Sequence, residues 1–119
     1  MTLNILGSKY TVRRVAFGKD PTMTEGGLAG YCNGVSKKIV LVDGSTVPDW
    51  ADEPPETIAA MERETLRHEI IHAYLDESGL CDSANPTEAA WSKNEEMIDW
   101  FAIQWPKISK TFAAAGCAE

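Results

Sequence analysis

Ile58, Met61, Thr65, His68, His72 and Leu75 recur at steps of three and four residues. That period predicts one long helix. Glu53-Pro54-Pro55-Glu56 supplies a start, because proline is tolerated in a first turn, and Gly79 supplies a stop. The helix contains the pentad His68-Glu69-Ile70-Ile71-His72. Helical residues four apart stack on one face, about 5–6 Å apart at Cβ. Two imidazoles so placed can both reach one cation at Zn–N distances of about 2.0–2.1 Å. Glu69 points to the side of that pair, within reach of a water held by the same ion, where a general base belongs.

The residues before this helix carry strand signals. Asn4-Ile5-Leu6 and Tyr10 to Val15 are short β-type runs with Gly7-Ser8-Lys9 as the turn between them. Gly18 to Gly30, with Asp20-Pro21 and Gly26-Gly27, reads as loop. Lys37 to Val42 is the strongest strand in the chain, and Asn33-Gly34 before it is a hairpin-turn pair. A small antiparallel sheet of three or four strands is the expectation.

After Gly79 a second helix is predicted. Asn85 is its cap, Pro86 its first residue, and it runs through Ala102 to about Trp105. Pro106 breaks or kinks it, and a short last helix carries Ile108, Phe112 and Ala113. The expected class is α+β: a sheet in the N-terminal half, packed on the pentad helix and a C-terminal helix. At 119 residues and 44% hydrophobic composition, residues 1–119 form one domain with a real core.

Composition excludes several functions. A net charge of −7 argues against nucleic-acid binding, which needs a basic patch. No stretch approaches the roughly 20 apolar residues of a membrane span. Cys32, Cys81 and Cys117 are odd in number and lack paired spacing, so they read as reduced thiols of a cytoplasmic protein.

Two histidines do not complete a catalytic zinc site, which takes three protein ligands and leaves a position for water. The chain has only these two, so the third ligand must be Asp, Glu or Cys. The segment Trp91 to Asp99 is the best source. Glu95 and Asp99 are four apart and share a face, so Glu95 could bind the ion while Asp99 bonds the outer nitrogen of a ligand histidine. Glu95 is favoured over Glu96 because Asp99 lies on its side.

With the pentad followed by Asn94-Glu95-Glu96-Met97-Ile98-Asp99, the chain resembles the gluzincin peptidases, HExxH then NExxxD. Its size and layout resemble the ImmA/IrrE family of small bacterial and phage metallopeptidases, whose later helix carries a pattern matched by Glu95, Asp99, Phe101 and Ala102. The resemblance covers the two motifs well and the rest of the chain loosely. It implies His68, His72 and Glu95 as ligands of one Zn2+ per chain, Glu69 as base, and Asp99 as a partner of His68. It implies a zinc-dependent metallopeptidase acting on a protein or peptide. Thermolysin-like relatives carry a further histidine for the oxyanion, and this chain has none.

Other residues invite roles. Tyr31, just before the strong strand, is the phenol best placed to donate to an oxyanion. Trp50, on a Pro/Asp-rich loop, could contact substrate. Cys32 could block the open metal position as a thiolate, against the commoner reading of a buried free thiol. Trp91, Trp100, Phe101 and Trp105 read as core at helical spacing, and Asp76 as an exposed carboxylate. An extended substrate could add to an exposed edge along Lys38 to Val42. The competing function is a non-catalytic scaffold that binds a regulatory protein partner, with the metal structural or absent.

Overall fold

The computed structural model describes residues 1–81, 91–115 and 117–118. Strands β1 (Thr2–Ile5) and β2 (Ser8–Val15) are followed by a short helix α1 (Pro21–Gly26) and strands β3 (Gly30–Asn33) and β4 (Lys38–Val42). Two single 3-10 turns lead into the long helix α2 (Pro55–Glu77), and another precedes helix α3 (Glu95–Ala115). The class is α+β, with one four-stranded sheet of order β1-β2-β4-β3. β1–β2 and β3–β4 are antiparallel, and the central pair β2–β4 is parallel. Parallel neighbours need a crossover. Here α1 and β3 supply it: the chain passes to the far edge as β3 and turns back as β4 beside β2.

β1 and β2 are joined at Leu6-Gly7, one residue earlier than the sequence suggests. Both residues have positive φ, 49° and 92°. That is the handedness a two-residue hairpin turn requires, and Leu adopts it at a cost of about 1–2 kcal/mol. Leu6 is 60% exposed, so it contributes little packing in return. Leu6→Asn is therefore expected to stabilise the fold by roughly 0.5–1 kcal/mol, read as a rise of a few degrees in Tm. The second hairpin is longer than Asn33-Gly34 implies. Asn33 Oδ1 accepts from the amides of Val35 (3.1 Å) and Ser36 (2.9 Å), and Lys37 takes the positive φ.

The segment expected to be loop contains α1. Asp20 Oδ1 accepts from the amides of Thr22 and Met23, Pro21 opens the helix, and left-handed Gly27 closes it. The start and stop chemistry was all present, but a helix of 6 residues is too short to show a period.

β4 is the centre of the core. Ile39 and Leu41 face α2 with Ile5, Tyr10, Val12 and Ala73. Val40 and Val42 face the other side, with Met23 and Val47. Burial on both faces explains its unbroken apolar run. Because β4 pairs with β2 on one side and β3 on the other, it has no free edge for a substrate; the free edges belong to β1 and β3.

The sheet-facing stripe of α2 is Leu66, Glu69, Ile70 and Ala73. The seam read from the sequence, which includes His68 and His72, lies beside that stripe and is half-buried. At the helix C-terminus Glu77 ties three elements together. It accepts from Ser8 Oγ (2.6 Å) and Tyr10 Oη (2.8 Å) and pairs with Lys37. The Lys37, Ser8 and Tyr10 donors, in that order, pull its pKa from the usual 4.5 to about 2. A carboxylate depressed on folding contributes stability above about pH 4.5 that is lost as pH falls toward 2. Glu77→Gln is expected to lower Tm at neutral pH and to flatten the dependence of Tm on pH between those limits.

The helix start expected at Asn85 to Glu88 lies outside the described residues. α3 itself begins at Glu95, capped by Asn94, whose Oδ1 accepts from Met97 N at 2.8 Å. Trp91 belongs to the preceding 3-10 turn, not to the helix. Pro106 lies inside α3 and does not end it, so there is no separate last helix. α3 buries only Ile98 and Ala102. The aromatic residues expected in the core are outside it: Trp91, Trp100, Phe101 and Trp105 are all exposed. Among the described residues no helix is long and apolar enough to cross a membrane.

Candidate metal centre

α2 places His68 and His72 one turn apart, and their Nε2 atoms are 3.0 Å from one another. α3 packs across α2 through Ile98 and Ala102, which turns its first two turns toward this pair. Glu95 Oε2 lies 3.2 Å from His68 Nε2 and 3.3 Å from His72 Nε2. Asp99 Oδ1 lies 2.7 Å from His68 Nδ1.

The His68 tautomer follows from its contact with Asp99. An ionised carboxylate only accepts, so His68 donates Nδ1–H to Asp99 and keeps a lone pair on Nε2. Burial, the larger cause, and then neighbouring His68 hold the His72 pKa below the ordinary imidazole value, although Glu95 opposes them. A neutral ring is what a metal ligand requires. Two imidazole Nε2 atoms and a carboxylate oxygen converge on one point. Three donors at about 2.0–2.1 Å from a tetrahedral centre are separated by roughly 3.3 Å, which the observed spacings match.

The exposure of the acids sharpens the argument. The Glu95 and Asp99 side chains are 64% and 61% exposed. Ion pairs this open contribute about 0–1 kcal/mol to stability, so folding alone gives little reason for the convergence. Glu96 is exposed and takes no part in these contacts.

Glu69 is different. Its ligand atom joins those of His68 and His72 within 4.8 Å, and this group of three could hold a metal ion. Glu95 supplies a further carboxylate oxygen at 3.2 and 3.3 Å from the two imidazoles. Glu69 is 5% exposed, on the sheet side of α2. Burial pushes its carboxyl up to about 7, Glu95 adds to the rise, and His68 and the Cys32 backbone amide oppose it. A carboxyl that changes charge near neutrality suits proton transfer.

Other expected participants are elsewhere. Tyr31 is a correction: it packs on the Met23/Val40 side of the sheet, and its hydroxyl donates to Asp20 Oδ2 at 3.1 Å. Successive strand residues point to opposite faces. Cys32 faces α2, so Tyr31 faces away and cannot serve an oxyanion. Trp50 is half-buried against the same far cluster, remote from a substrate at the histidines. Burial pushes the Cys32 thiol of the metal-free chain up to about 12. Asp76 is half-buried and packs so closely on Gly34 that a Cβ there would lie 2.5 Å from its Oδ2.

One residue beside the site escaped the sequence reading. Arg67 Nε donates to the backbone carbonyl of Ala102 at 2.6 Å, joining α2 to α3. The only signal for it was Pro106, four residues beyond Ala102.

Comparison with family models, with curated proteins and with solved structures found no match.

Proposed function

We propose that this chain is a zinc-dependent metallopeptidase of the gluzincin type, similar to the ImmA/IrrE proteins and encoded by a bacterium or phage. The observation that carries the reading is the approach of Glu95, from α3, to both imidazoles of the pentad at 3.2 and 3.3 Å. His68, His72 and Glu95 would hold one Zn2+ per chain. A divalent cation there supplies Lewis acidity, lowering the pKa of water toward about 7 and polarising a carbonyl.

The chain's own groups do the rest. Glu69 takes the proton of the attacking water on its carboxylate and passes it to the leaving amine as the peptide C–N bond breaks. Asp99 holds the His68 ring in one tautomer and one orientation. An extended peptide would add to β3, the free sheet edge nearest α2, where the Cys32 amide bears on Glu69. The substrate is a protein or peptide. Three free cysteines support a reducing compartment, the cytoplasm.

A second reading keeps the scaffold without the chemistry: a protein that binds a regulatory partner, with metal structural or absent. The exposed Trp100, Trp105 and Phe112 on α3 favour it. Metal analysis combined with a cleavage screen on denatured proteins separates the two. One zinc per chain with cleavage abolished by chelator supports the peptidase. A chain without metal, or a metal-loaded chain that cleaves nothing in the screen, supports the binding protein.

A further inference from the structure

We propose that Arg67 is a positioning residue for the metal centre, gripping a carbonyl that Pro106 leaves free and so setting the register of α3 against α2. In an α-helix the amide of residue 106 would bond the carbonyl of residue 102. Proline has no N–H to give. The Ala102 carbonyl is thereby left without its helical partner, on a residue only 1% exposed. Arg67 Nε fills that vacancy at 2.6 Å. A guanidinium is a fitting donor because it stays charged and its fork is rigid. The same bond explains why α3 runs through Pro106 without ending.

The grip acts at a distance on Glu95 and Asp99. Positions 95, 99 and 102 are separated by four and three residues and lie on one face of α3. Fixing the carbonyl of residue 102 fixes both the height and the rotation of the two turns before it. Ile98 and Ala102 are fully buried, but apolar burial is non-directional and does not by itself fix the height and rotation of a helix. Among the described residues, the remaining polar ties between α2 and α3 are those of the site itself, His68 to Asp99 and both imidazoles to Glu95. Those ties cannot prearrange the site they constitute. Arg67, next in sequence to His68, links the two helices independently.

This inference rests on the proposed metal centre, and the test separates the two. Co2+ is titrated into the wild type, Arg67→Met, Arg67→Lys, Pro106→Ala and the Arg67→Met/Pro106→Ala pair, with affinity and visible absorption recorded. Amide hydrogen exchange along α3 is followed on the same chains in chelator. An orphaned buried carbonyl should weaken Co2+ binding by about tenfold in Arg67→Met, alter the absorption band and speed exchange in the first turns of α3. Arg67→Lys should recover part of the loss. With Ala at 106 the helix regains its own N–H, so Arg67→Met in that background should cost less than about threefold. Wild-type affinity and exchange in Arg67→Met, or an undiminished loss in the Pro106→Ala background, would overturn the proposal. If the wild type takes up no Co2+, the metal reading fails alone. Exchange in chelator then decides: faster in Arg67→Met sustains the grip, and equal rates overturn it.

Discussion

A Glu69→Gln chain is expected to take up its cation as the wild type does and to cleave peptide at least about a hundredfold more slowly. Gln has nearly the same shape, so the imidazoles and Glu95 keep their positions. It cannot accept a proton near neutral pH, and proton transfer is the step assigned to Glu69. The substitution should not harm the fold. An ionised carboxyl in a seat 5% exposed is costly, and a neutral amide avoids that cost. Tm of the metal-free chain should therefore hold or rise. Loss of kcat with unchanged metal content and unchanged Tm is the signature of a base. Cleavage at the wild-type rate would remove Glu69 from the chemistry.

The second large effect separates three acids within one turn of α3. Glu95→Ala removes one of three proposed ligands and should weaken zinc binding by more than about a hundredfold, since even outer partners of ligands are worth about 10–100-fold. Asp99→Ala removes such an outer partner, the group at 2.7 Å from His68 Nδ1, and should fall within that 10–100-fold range. Glu96→Ala should change affinity by less than about twofold, as an exposed charge away from the cluster. None of the three should move the metal-free stability by more than about 0.5 kcal/mol, because all are exposed. Competition with a chromophoric chelator gives the affinities. An equal loss for Glu95 and Glu96 would mean that general acidity, not geometry, binds the ion.

Much of this arrangement was legible in the residues. Steps of three and four announced α2, and the spacing of His68 and His72 announced their shared face. The four-residue offset of Glu95 and Asp99 put both acids on one side of α3. The α+β class followed from strand runs preceding helical ones. What the sequence concealed depended on pairing and partners. The parallel β2–β4 contact is invisible in the residues, because direction is set by where β3 lies, not by its composition. Tyr31 was misjudged because its neighbour Cys32 takes the α2-facing position, and alternation then turns the phenol away. The aromatic residues of α3 look like core by their period alone, but α2 offers that helix only a narrow contact around Ile98 and Ala102. Pro106 looked like a terminator because the donor that replaces its missing N–H, Arg67, lies 39 residues away in the chain.

Diffraction at the zinc edge from crystals grown with Zn2+ tests the central claim most directly. One anomalous peak per chain is predicted, with His68 Nε2, His72 Nε2 and a Glu95 oxygen each within about 2.0–2.2 Å and the Glu69 carboxylate beyond bonding distance. A peak ligated by Glu69 with Glu95 turned away, or no peak between the two helices, would contradict the account.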